Sequence, residues 1–91
     1  MLIRLLRFDP VVFSATPDGG RTAHYCVLEV PGERGLGFRG FRVQRFGLPA
    51  VYCVRVYGPR SAECECLGFL RHGYCRHSTG VLRYALETIS E

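Results

Sequence analysis

Two hydrophobic periodicities divide this chain. Up to about residue 57 the apolar residues fall in short runs with strand-like composition and alternation, and from Ser78 onward they recur at helical spacing. VVFSA (11–15) and TAHYCVLEV (22–30) read as strands, and the PDGG between them (17–20) is turn chemistry, so residues 11–30 predict a hairpin. GERGLG (32–37) has neither the spacing nor the lysine of a phosphate loop and reads as a connection. FRVQRF (41–46) and VYCVRVY (51–57) predict two further strands joined by GLPA. In the second, Tyr52, Val54 and Val56 share one face, with Cys53 and Arg55 on the other. Arg42 and Gln44 share a face of the first, and if Arg42 and Arg55 come to the same side, the sheet has a basic, solvated surface. In the last segment, Val81, Leu82, Ala85, Leu86 and Ile89 predict a helix over about 76–89. Its polar side carries the i,i+4 pair Arg83 and Glu87, and Gly80 lowers its intrinsic propensity.

Ninety-one residues make one small domain with a thin core, for which a bound metal is a natural staple. The formal charge is +4 and the pI about 9.0, which suits anionic partners. All twelve basic residues are Arg, so no lysine nucleophile, Schiff base or phosphate-loop lysine is available. MLIRLLRFDP lacks the uninterrupted apolar stretch of an export signal, since Arg4 and Arg7 break it, and no run approaches membrane-spanning length. The expectation is an intracellular, cytoplasmic protein, at the nucleoid or in the nucleus if it binds DNA. Five cysteines fit a closed disulfide framework poorly, and clustered cysteines in a reducing compartment more often bind metal.

CECLGFLRHGYCRH (64–77) holds three of those cysteines and two histidines. Cys64 and Cys66, at i and i+2 of an extended segment, point to the same side. They must approach more closely than the ~6.6 Å that two strand residues span, so the strand has to bend, and Gly68 is placed to turn the chain back. Cys75 and His77 would diverge by roughly 200° inside a helix. They converge if Cys75 precedes the helix and His77 occupies its first turn. Three thiolates and one imidazole are a normal set for tetrahedral structural zinc, with no position left for substrate. His72, three residues before Cys75, is a rival for the imidazole position. The negative site could be offset by Arg71 and Arg76 through N–H···S contacts. Cys26 and Cys53, among apolar strand residues, read as buried thiols, and His24 as structural.

CECLGFLRHGYCRHSTGVLRYAL resembles a SWIM-type zinc finger, whose signature is Cys-x-Cys, a variable spacer, then Cys-x-His. Here the spacer is eight residues, Phe69 stands where the family often carries an aromatic, and VYCVRVYGPRSAE resembles the strand leading into the finger. The resemblance spans about residues 50–90. It implies a compact ββα unit, one structural Zn²⁺ on Cys64, Cys66, Cys75 and His77 in preference to His72, and a role in binding DNA or proteins.

The expected fold is therefore α+β: a small single domain in which antiparallel β-hairpins (1–49, a β-rich extension) precede a SWIM-like ββα unit (50–91) with a C-terminal helix. The expected function is non-catalytic nucleic-acid binding through Arg42, Arg45, Arg55, Arg71 and Arg76, with Phe46, Tyr52 and Tyr57 as possible stacking surfaces. The alternative is a protein-interaction module or small accessory subunit of a helicase-, nuclease- or transposase-like complex. A Cys64 or Cys75 thiolate paired with His72 would be the basis for catalysis, but no oxyanion site or third residue accompanies it. Neither a membrane nor a small-molecule substrate is expected.

Overall fold

A computed structural model describes residues 1–30 and 37–89, with the side chains of residues 88 and 89 left out of the description. Six strands run β1 (Leu2–Phe8), β2 (Val11–Thr16), β3 (Ala23–Val30), β4 (Arg39–Arg45), β5 (Val51–Gly58) and β6 (Ser61–Cys64), followed by helices α1 (Leu67–His72) and α2 (Arg76–Ile89). The strands form one antiparallel sheet in the order β1-β2-β3-β4-β5-β6, curved as a half-barrel. Every strand pairs antiparallel with its neighbours in sequence. The fold is α+β, as the two periodicities predict.

The predicted hairpin over 11–30 is β2–β3, with Phe13 opposite Tyr25 and Ala15 opposite Ala23. Its turn is closed by a Gly20 N–H bond to the Pro17 carbonyl (3.0 Å), and Gly19 there takes a φ of 71° that favours glycine. The expected connection at 32–37 lies outside the described residues except for Gly37. β1 was not foreseen as a strand. Its sequence LIRLLRF does not alternate cleanly because a bulge between Leu5 and Arg7 shifts the register against β2 midway.

Alternation places Ile3, Phe13, Ala15, Tyr25, Val27, Phe41, Val43, Val54 and Val56 on the concave face, all buried. α2 crosses this face and adds Val81 and Ala85, both fully buried. The buried face of α2 is Ser78, Gly80, Val81 and Ala85, so Leu86, one position further round, is 42% exposed instead of joining the core. Cys64 and Cys66 belong to the same core cluster as the strand residues of 1–49, so one interior spans both halves of the chain.

At the end of the concave face away from the cysteines, Arg39 makes a two-pronged ion pair with Glu29, Nε to Oε2 at 3.0 Å and Nη2 to Oε1 at 2.9 Å. Both side chains are largely buried, and the hydrogen bonds to Glu29 hold the Arg39 guanidinium above its ordinary pKa. The foreseen Arg83–Glu87 pair is present at 3.9 Å, but both partners are more than half exposed and it contributes little.

Candidate metal centre

The site is assembled by two helix starts. β6 ends at Cys64, Glu65 points to solvent, and Cys66 keeps an extended backbone (φ −74°, ψ 161°) as the N-cap of α1. The strand-like i,i+2 relationship therefore brings both sulfurs inward, and both residues are buried. The chain then reverses through α1, a helix that the sequence reading did not include. Six residues are too few to show a helical period, and α1 buries none of its own. Gly73, at φ 77°, ends α1 in the left-handed conformation and donates its N–H to the Phe69 carbonyl (2.8 Å). Gly68 has no such role. It lies within α1, where a Cβ would come into ordinary contact with Cys66 Sγ and Cys75 Cβ.

Cys75 caps α2. Its carbonyl accepts the Thr79 N–H (3.0 Å) and its Sγ accepts the Ser78 N–H (3.3 Å), while the Cys75 N–H donates back to Ser78 Oγ (3.1 Å). This is the reciprocal logic of a capping box, with a thiol in place of the usual hydroxyl. His77 follows in the first turn, the arrangement its spacing from Cys75 required.

The ligand atoms of Cys64, Cys66, Cys75 and His77 all lie within 4.8 Å of one another. Cys64 Sγ and Cys75 Sγ are each 3.7 Å from His77 Nδ1. A tetrahedral zinc with Zn–S near 2.3 Å and Zn–N near 2.0–2.1 Å separates sulfur from nitrogen by about 3.6 Å and sulfur from sulfur by about 3.8 Å. The observed spacing fits such an ion with only small adjustments, with Nδ1 as the imidazole ligand. His72 is not in the group. It is the exposed last residue of α1, with its ring 6.1 Å from Tyr74.

The His77 ring is held from two sides. Tyr52 of β5 stacks on it (centroids 4.7 Å, interplanar angle 23°), and Tyr25 of β3 meets it edge-on (5.4 Å, 84°). Two strands of the sheet thus orient a ligand carried by the helix.

The charge on the sulfurs is met by the backbone, and among the described residues Arg71 and Arg76 make no hydrogen bond to them. Phe69 N–H points to Cys66 Sγ (3.5 Å), Ser78 N–H to Cys75 Sγ, and the Cys66 N–H favours a thiolate at Cys64. The Cys64 thiol hydrogen-bonds Cys75 and pulls the latter's pKa down to about 3, helped by His77 and Ser78, whereas that same bond and burial push Cys64 up. A group poised to lose protons to a cation at this point is what a thiolate site requires.

The five arginines expected to contact nucleic acid are distributed over different parts of the fold. Arg42 and Arg55 lie together on the convex face, flanking Cys53, because Arg42 pairs with Cys53 and Arg55 is two residues along the same strand. Arg45 pairs with Tyr25 and so falls on the opposite, concave side. Arg76 is at the start of α2 beside the metal centre, and Arg71 projects from α1. Of the aromatics proposed for stacking, Phe46 and Tyr57 are exposed, while Tyr52 is half-buried against His77.

The expectation of buried thiols at Cys26 and Cys53 is corrected. Cys26 is half-buried and Cys53 exposed, since both occupy convex-face positions of their strands, opposite the face that α2 crosses. His24 is likewise exposed on that face, 6.3 Å from the ring of Phe46.

Among the described residues no helix is long and apolar enough to cross a membrane. Four residues of the chain could hold one metal ion, and zinc suits their chemistry. No protein-family model, no curated protein and no solved structure matches this chain.

Proposed function

We propose that the protein is a structural-zinc module of the SWIM type that binds nucleic acid without catalysing a reaction. The convergence of Cys64, Cys66, Cys75 and His77 on one point carries this reading. Their order, Cys-x-Cys then Cys-x-His, matches the family signature, with the last pair at the entrance of a helix. Four protein ligands fill a tetrahedral zinc, so the ion holds β6, α1 and α2 together and offers no position to substrate.

Support for nucleic acid comes from the formal charge of +4 and from Arg42 and Arg55, side by side on the exposed convex face. Arginine there is suited to two-pronged phosphate contacts. Binding of labelled single-stranded and duplex DNA and of RNA across a salt series tests the reading. Log K is expected to fall linearly with log salt, and Arg42→Ala with Arg55→Ala should flatten that slope by about 2. No binding at low salt, or a slope unchanged by the double substitution, overturns it.

A further inference from the structure

We propose that the cleft beside the metal centre is a docking site for an apolar side chain carried in an acidic segment of a partner protein. The cleft, about 680 Å³, opens on the concave side between the β4–β5 connection, the start of α1 and the start of α2. Its volume falls in the range of sites that enclose a ligand group. Tyr25, Tyr52 and His77 line it within the fold, so its wall is the same stacked set that orients the imidazole ligand.

The rim is apolar and open to water. Leu48 is 50% exposed, Leu67 69% and Tyr74 64%. α1 sharpens the point, because it buries none of its residues and turns Leu67 outward at the mouth of the cleft. Apolar side chains gathered around a concavity mark an interaction surface. Tyrosine and arginine, which line this one, are the residue types that dominate interface energetics.

Charge selects the occupant. Arg45 and Arg76 both line the cleft, and among the described residues neither makes an ion pair. Its single carboxylate, Glu65, already accepts the Cys53 N–H at Oε1 (3.2 Å). The surface therefore presents two guanidiniums around an apolar hollow, and its complement is a hydrophobic residue with Asp or Glu beside it. A polynucleotide would satisfy the arginines and could stack on Tyr74, but the exposed leucines of the rim, Leu48 and Leu67, complement an apolar side chain rather than a charged backbone. This inference goes beyond the nucleic-acid reading and is independent of it, since Arg42 and Arg55 are on the other side of the sheet.

The test is selection of a random peptide library on the zinc-loaded full chain, followed by affinity measurement with one enriched synthetic peptide. Enriched sequences should share an aromatic or aliphatic residue flanked by Asp or Glu. Leu48→Ser and Arg45→Glu, both exposed and away from the ligands in sequence, should each weaken binding at least tenfold with zinc content unchanged. Failure to enrich any peptide, enrichment without acidic residues, or equal binding by the variants overturns the proposal. So does a single-stranded oligonucleotide that binds, is lost in both variants, and leaves no peptide enriched, because the cleft then belongs to nucleic acid.

Discussion

The edge of the Phe13 ring lies where a side chain on Gly80 would begin. A Cβ at Gly80 would overlap Cε2, Cζ and Cδ2 of that ring, so α2 sits on the sheet at a separation only glycine permits. Phe13 is fully buried and stacked on Tyr25 (centroids 5.0 Å, 17°), and Tyr25 in turn meets the His77 ring. A helix glycine that is a weakness from propensity alone therefore sets the height of the helix that carries one ligand and is capped by another.

Gly80→Ala should destabilise the protein. Alanine gains about 1 kcal/mol of helix propensity, but overpacking a filled core costs about 1–3 kcal/mol. The net loss, up to about 2 kcal/mol, should lower the thermal midpoint by roughly 4–8 °C per kcal/mol. Partial recovery in the Phe13→Leu background would tie the loss to this contact, whereas a midpoint raised by Gly80→Ala would show that the helix has room to spare.

Removal of the metal, or Cys64→Ser, should disorder the segment from about β5 to the end of α2. Structural zinc in finger peptides is worth about 10–16 kcal/mol at neutral pH, more than a domain of this size has in reserve. Cys53→Ser, at an exposed convex-face position, should retain one zinc per chain and near-native stability. Metal analysis together with circular dichroism separates the two, and equal effects would mean that the ligands are assigned wrongly.

Tyr52→Ala should weaken zinc binding without removing a ligand. The stack on His77 holds the ring in the orientation that presents Nδ1, and loss of an outer-shell support typically costs 10–100-fold in metal affinity. Tyr52→Phe keeps the stacking surface and should bind nearly as the wild type does. Competition with a chromogenic chelator measures both, and an unchanged affinity in Tyr52→Ala would reduce the stack to ordinary packing.

How much of this was legible before the fold depends on how far each feature reaches along the chain. The helix over 76–89 is α2, residue for residue, because its period repeats over four turns. The β2–β3 hairpin and the face assignment of Tyr52, Val54 and Val56 follow from turn chemistry and from an alternation confined to single strands. β1 and α1 escaped notice for opposite reasons. A bulge breaks the alternation of β1, and α1 is held by caps at Cys66 and Gly73 that look in sequence like a ligand and a loop glycine.

By itself, then, the sequence determined the α+β character, the spacing of four metal ligands and the need for Cys75 to stand just ahead of a helix. All of these are consequences of local periodicity and backbone geometry. Only the tertiary structure decided that Arg42 and Arg55 come to one face, that Cys53 faces water, and that Gly80 fits under Phe13. Those outcomes depend on which face of the sheet the helix covers, a choice made by contacts between residues far apart in the chain.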